Sequence, residues 1–139
     1  MKRTLPLFLL LALALTGCSA SGGAGAANTA STAGYRQVNA QEAIDMMASE
    51  TDFIILDVRT QQEYESGHIP NAVCIPNETI PTDGAETVPG LPDKDQTIFV
   101  YCRSGNRSKQ AAAKLAQLGY THIVEFGGIQ SWPGEIAVP

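Results

Sequence analysis

The chain has three cysteines and two histidines in 139 residues, and no cysteines form a C-x-x-C pair. A structural zinc site needs four converging nitrogen or sulfur ligands, so none is expected, and no other metal or cofactor is called for. An odd cysteine count also excludes a fully paired disulfide framework. Basic residues are scarce: Lys and Arg total 9 against 14 Asp and Glu, and no Lys/Arg run follows the first three residues. A formal charge of −5 without a cationic stripe leaves no electrostatic footprint for nucleic-acid binding or for a polybasic membrane surface. No internal repeat is present. What remains is enough chain for one globular domain with its own core and too little for two ordinary ones. Its partners are expected to be small molecules or proteins.

The amino-terminal segment has the layout of an export address. Lys2 and Arg3 are followed by an apolar run from Leu5 to Leu15 and then by Leu15-Thr16-Gly17-Cys18. As a helix that run would reach roughly 16 Å, against a hydrocarbon core of about 30 Å, so it is too short to span a bilayer. Pro6 and the absence of any polar face argue against a buried core helix. The segment resembles a bacterial lipoprotein signal, residues 1–17, with Leu15 to Cys18 as the lipobox. The resemblance implies that Cys18 carries lipid, becomes the new amino terminus and holds the protein on the outer face of a membrane of the cell envelope. An ordinary signal peptide cleaved near Ala20 is the alternative. Residues 19–34 contain only Ala, Gly, Ser, Thr and Asn, which cannot bury enough apolar surface to offset their ordering entropy. Together with Cys18 they read as a tether with a reach of roughly 20–24 Å, so a single folded domain is expected over residues 35–139.

Within that domain helical and strand patterns alternate. Asn39 with Glu42 three residues on forms a capping box before an apolar stripe over Gln41 to Ser49. Phe53 to Val58 is a short, β-branched run apolar on both faces, as suits a strand buried in a parallel sheet. Thr60 and Glu63 cap a short helix that Gly67 stops. Ala72 to Ile75 is a second short strand. Pro81, Gly84, Pro89, Gly90 and Pro92 leave residues 77–95 as an irregular connection. Thr97 to Tyr101 is a further buried strand ending at Cys102, and Asn106 to Leu118 is a helix with Ala111, Ala112, Leu115 and Leu118 inward. Ile123 to Phe126 is a last strand, before a Gly127-Gly128 pair and a short turn to Trp132. The order predicts an α/β domain with a mainly parallel sheet covered on both sides.

Ligands in such sheets bind beyond the carboxyl ends of the strands. Cys102-Arg103-Ser104-Gly105-Asn106-Arg107 occupies that position, between a strand and a helix amino terminus. Backbone N–H groups converge there and the helix dipole adds partial positive charge, so a thiolate is stabilised. Arg103 and Arg107 are expected to lower the thiol pKa further, and Lys109 adds to this local basic spot. Gly105 permits a tight, left-handed backbone, and the planar fork of Arg107 is expected to close the ring around an anion. A buried structural cysteine with two solvated arginines is the plainer reading, and the order strand, Cys, Gly-containing loop, Arg, helix disfavours it.

Leu56-Asp57-Val58-Arg59, Glu63-Tyr64, Gly67-His68-Ile69-Pro70-Asn71-Ala72, Tyr101 to Ser108 and Gly127-Gly128-Ile129-Gln130-Ser131-Trp132 together resemble a rhodanese domain over nearly all of residues 35–139. The resemblance implies a parallel five-stranded sheet flanked by helices and a catalytic Cys102. It implies a sulfurtransferase that moves sulfane sulfur from a donor such as thiosulfate to cyanide or a thiol through a persulfide on Cys102. Arg103, Ser104, Gly105, Asn106 and Arg107 would form the anion-binding loop of a monomeric domain. Four residues separate Cys102 from Arg107, where the resembling phosphatases have five, and Tyr101 stands where those have His. Phosphatase or arsenate reductase chemistry is therefore the lesser alternative, beside a rhodanese-like binding or redox-sensing module that does not turn over.

The remaining candidates are supporting. Asp57 and Arg59 end a strand on the ligand side, Asp57 as a buried carboxylate accepting loop hydrogen bonds and Arg59 pairing with a neighbour such as Glu63, with direct substrate contact as the alternative. His68 reads as structural, Trp132 as a core plug, Ser104 and Ser108 as hydroxyls for the anion or the helix start, and Asn71 as a residue tolerant of positive φ. Cys74 reads as a small buried residue, with a redox partnership to Cys102 as the alternative. Loss of Lys2 and Arg3 with residues 1–17 would take the formal charge from −5 to −7.

Overall fold

The structure is a computed structural model that describes residues 34–139. The expected signal segment, Cys18 and nearly all of the tether lie outside the described residues. Two capping boxes set the first helices. Helix α1 (Ala40–Ser49) begins at Asn39, whose side chain accepts from Glu42 N–H while the Glu42 carboxylate accepts from Asn39 N–H, each at 2.9 Å. Helix α2 (Gln61–Glu65) repeats the device with Thr60 and Glu63. Each box satisfies orphan donors of a first turn from within four residues of chain.

Five parallel strands form one sheet in the order β1-β5-β4-β2-β3: β1 (Arg36–Gln37), β2 (Phe53–Asp57), β3 (Val73–Cys74), β4 (Thr97–Cys102) and β5 (Ile123–Gly128). Strand β1 has no sequence signature, because two residues carry no period; it exists through its pairing with β5, Arg36 opposite Val124 and Gln37 opposite Glu125. The Ala72 to Ile75 run shortens to Val73–Cys74, while the last strand runs on from Phe126 to Gly128. Helix α3 (Asn106–Gln117) buries Ser108, Ala111, Ala112 and Leu115.

Strand alternation divides the core into two clusters, one on each face of the sheet. Leu56, Val58, Ile98, Val100, Cys102 and Ile123 face α3 and the irregular connection. Ile55, Phe99, Tyr101, Val124 and Phe126 face the opposite way, where Ala43 of α1 and Tyr64 of α2 pack. The connection over residues 77–95 is pinned by Tyr120, whose hydroxyl donates to Leu91 O at 2.6 Å and accepts from Val88 N–H at 2.8 Å. Chain leaves β2 for α2 on one face and leaves β4 for α3 on the other. Between these adjacent strands lies the switch point of the sheet, where a crevice opens beyond the strand ends. Asp57 and Cys102 end the two strands that flank it.

Candidate active site

Cys102 closes β4, and the chain wraps from it through Arg103, Ser104 and Gly105 into α3. Gly105, the residue before α3, has φ 106°, a left-handed conformation that side chains resist. That turn aims Gly105 N–H at Cys102 Sγ, 3.0 Å away. Gly128 supports the loop from β5. It pairs with Cys102 across the sheet, and a Cβ on it would overlap the Arg103 carbonyl oxygen. Gly128 therefore serves as a floor for the loop, and the Gly127-Gly128 pair also leads into the final turn.

Cys102 is 1% exposed and burial alone raises its pKa, yet the thiol sits below its ordinary value. The Ser108 hydroxyl and the N–H groups of Ser108, Gly105 and Ser104 outweigh burial. Arg107 pushes the same way, since its charge and that of the Cys102 sulfur favour each other, but the hydrogen bonds of the loop are the larger causes, and Arg103 is exposed.

The expected ring closure by Arg107 is corrected. Its fork is turned across the crevice onto Glu63 of α2, Nη1 to Oε2 at 2.7 Å and Nη2 to Oε1 at 2.8 Å, and it does not close a ring over the sulfur. Arg107 draws Glu63 down to about 2, from 4.5, with Thr60 assisting and burial opposing. The positive form of Arg107 is favoured first by Glu63, and less by charge at Cys102. Of the other loop residues, Ser104 contributes its N–H, and Asn106 is exposed at the start of α3. Lys109 is exposed one turn of helix on.

Asp57 and Arg59 form a buried pair on the other face of the sheet. Arg59 Nη2 lies 2.7 Å from Asp57 Oδ2 and also donates to Gly67 O at 2.7 Å, so Arg59 pairs with Asp57 and not with Glu63. Burial opposes the Arg59 charge, and hydrogen bonding to Asp57 more than restores it. Tyr101, unassigned in the sequence, completes this cluster: its hydroxyl donates to Asp57 Oδ2 at 2.6 Å and accepts from Ile69 N–H at 3.1 Å. Burial and the bond to Asp57 raise the Tyr101 pKa. Phe99 and Tyr101 read only as apolar strand residues by periodicity, so the hydroxyl left no trace in the pattern.

Glu125 likewise carries no role in the sequence pattern. It is 2% exposed in the middle of an apolar strand, where a carboxylate has to find donors. Ser108 Oγ donates to its Oε1 at 2.6 Å, Gly127 N–H donates to the same atom at 2.8 Å, and Gln37 Nε2 reaches Oε2 at 3.2 Å. The available signal was an acidic residue inside Ile123 to Phe126. Ser108 is fully buried, so it is more than a helix-start residue.

His68 stacks on Tyr64 with ring centroids 3.8 Å apart and holds Tyr64 O through Nδ1, a structural position. Asn71 takes φ 65°, as expected. Trp132 is half-buried against Phe126 at the edge of its cluster, so it flanks the core and does not plug it. Cys74 is partly buried and burial raises its pKa. Cys74 and Tyr101 sit opposite Asp57 from either side, which puts two strand spacings, about 9.5 Å, between β3 and β4. That exceeds the Cα separation a disulfide allows, and Cys74 and Cys102 are both free. A concavity of about 320 Å³ lies at the opposite end of the strands, lined by Tyr35, Arg36, Glu50, Thr97 and His122 among others; it contains none of the loop residues.

A family model described as a rhodanese-like domain matches residues 39–135. A protein named sulfurtransferase from Allochromatium vinosum is 36% identical over 97 residues, covering 69% of this chain and 86% of that protein. Thiosulfate sulfurtransferase PspE from Escherichia coli is 37% identical over 84 residues, covering 60% of this chain and 74% of that protein. Among solved structures, a rhodanese-related protein from Thermoplasma volcanium aligns with a TM-score of 0.61 at 30% identity, covering 76% of this chain and 100% of that one.

Proposed function

The chain belongs to the rhodanese-like domain family, and from that premise we propose that it transfers sulfane sulfur through a persulfide on Cys102. The observation that carries this reading is the Cys102 sulfur, held at the end of a central strand with Gly105 N–H at 3.0 Å and its thiol pKa lowered. A nucleophile so placed is activated by the loop that will also carry its charge. Cys102 thiolate attacks the outer sulfur of thiosulfate, the Sγ–S bond forms, and the S–S bond to the sulfonate breaks, so sulfite leaves with the electron pair. The terminal persulfide sulfur then occupies the loop as the anion. Cyanide or an acceptor thiolate attacks that sulfur, and the Sγ–S electron pair returns to Cys102. The family's sulfurtransferases support the class of reaction; thiosulfate as donor and cyanide or a thiol as acceptor are proposed from the resemblance to them. The A. vinosum and E. coli relatives are what make turnover preferable to a silent binding module.

Incubation with thiosulfate is expected to add one sulfur atom to Cys102 by mass spectrometry, and cyanide or a thiol to remove it. Absence of a persulfide with any sulfane donor, in folded protein, would leave a non-turnover module. Hydrolysis of p-nitrophenyl phosphate that depends on Cys102, without sulfur transfer, would make it a phosphatase.

We further propose that Cys18 carries lipid after removal of residues 1–17, and that residues 18–34 tether a monomeric domain outside the cytoplasm. The Leu15 to Cys18 motif and the uncharged stretch after it support this. A free Cys18 thiol in mature protein from a membrane fraction would overturn it.

A further inference from the structure

Among the described residues, Glu125 is the one buried carboxylate whose partner is not a cation. Among the described residues the ion pairs are Asp57–Arg59 and Glu63–Arg107, and neither includes Glu125. Its surroundings are neutral donors. Strand β1 brings Gln37, and the segment before it brings the Tyr35 phenol, whose pKa is raised by burial and then by Glu125. Helix α3 brings Ser108, and β4 brings Cys102 behind it. Arg107 is bound to Glu63, and Arg103 and Lys109 are exposed.

Ser108 connects the carboxylate to the reactive sulfur. Cys102 Sγ lies 3.5 Å from Ser108 Oγ, and Ser108 Oγ lies 2.6 Å from Glu125 Oε1. A hydroxyl has one proton to donate and can accept at the same time. With Cys102 as thiol, its S–H donates to Ser108 and Ser108 donates to Glu125. With Cys102 as thiolate, the Ser108 proton turns to the sulfur, and Glu125 loses its strongest donor. The two acids thus compete for a single hydroxyl proton as well as repelling each other as anions in a buried space.

We propose that Cys102 and Glu125 share one proton through Ser108, Glu125 being a positioning residue that takes the thiol proton when the nucleophile forms. The proton on Sγ passes to Ser108 Oγ, and the Ser108 proton passes to Glu125 Oε1. The site holds one negative charge before and after, so the thiolate forms without a second buried charge and without a base from solvent. When the persulfide sulfur leaves with the acceptor, the regenerated thiolate and the protonated Glu125 are again the same single-charge state. The proposal rests on the reading of Cys102 as the nucleophile.

The test follows thiolate by the rate of iodoacetamide alkylation at Cys102, read from the peptide that carries it, across pH in the full-length chain. A shared proton makes the profile rise in two steps, because a pair sharing one charge loses its second proton only at much higher pH. Glu125→Gln, which keeps the shape and the acceptor for Gly127 N–H, is expected to collapse the profile to one step. A single step in the unsubstituted protein, or two steps that survive Glu125→Gln, would overturn the proposal while leaving Cys102 as nucleophile. Should Glu125→Gln fail to fold, infrared difference spectra of the unsubstituted protein decide. Alkylation removes the charge from sulfur, so a carboxylic-acid band should vanish on reaction at neutral pH; no change in that band would sink the idea. If Cys102 neither alkylates nor takes sulfur from thiosulfate, the proposed function fails together with this inference.

Discussion

Asp57 and Glu125 are both carboxylates buried in interior strands of one parallel sheet, on opposite faces. Asp57 has a guanidinium at 2.7 Å, a phenol at 2.6 Å and a backbone N–H at 3.0 Å, and its cluster is electrically balanced. Glu125 has a hydroxyl, an amide and a backbone N–H, and no ion pair among the described residues. The first arrangement ties β2, β4 and the turn at Gly67 into a fixed end of the crevice. The second sets a carboxylate one hydroxyl away from the Cys102 sulfur. Burial by itself therefore does not mark a residue as structural or reactive. The sign and mobility of the neighbouring charge do.

The contrast can be broken from either side. The largest effect is expected from Asp57→Asn, which leaves the Arg59 guanidinium buried without its anion and should cost about 3–5 kcal/mol in denaturant unfolding. In protein that remains folded, alkylation of Cys102 should be unchanged, since Asp57 faces away from it. A loss of thiol reactivity in step with stability would join the two clusters into one. Gly128→Ala should cost up to about 3 kcal/mol by overpacking against Arg103, and it should also slow alkylation because the loop is displaced. Retention of normal reactivity there would deny the glycine its role as a floor. Tyr101→Phe leaves Ile69 N–H without its acceptor and should cost about 1–2 kcal/mol, seen in the same unfolding curves, again without moving the thiol profile.

The smallest effect belongs to the partly exposed Glu63–Arg107 pair, below about 1 kcal/mol. Its sign with pH is fixed by the depressed Glu63 carboxyl. The pair contributes fully above the unfolded value of 4.5, and that contribution fades as pH falls toward the folded value of about 2. The difference in thermal midpoint between Glu63→Gln and the parent should therefore be present at neutral pH and vanish in that acid window. In sulfur transfer the same substitution frees the Arg107 fork for an anionic donor, so KM for thiosulfate should fall with kcat little changed. A rise in KM would mean that Glu63 holds Arg107 in its working position.

Local features were legible because they are local. Asn39 and Glu42, Thr60 and Glu63, and the loop from Cys102 to Arg107 interact within a turn or so of chain, and spacing alone announces them. The α/β class, the buried strands and the place of Cys102 at a strand end before a helix followed from run length, breaker residues and motif order. Tyr101 to Asp57 and Arg107 to Glu63 each join residues 44 apart, and Ser108 to Glu125 residues 17 apart. Which of these meet depends on the strand order β1-β5-β4-β2-β3, because a side chain finds its partner on the neighbouring strand or across the covering helix. Periodicity tells which face a strand residue takes and is silent on which strand lies beside it. That a thiol stands in a nest of N–H groups is readable from spacing along the chain. Tertiary structure decided that Arg107 would turn to Glu63 and that a lone carboxylate would lie behind Ser108. The physical reason is that charges act through space, and only the folded sheet sets the distances.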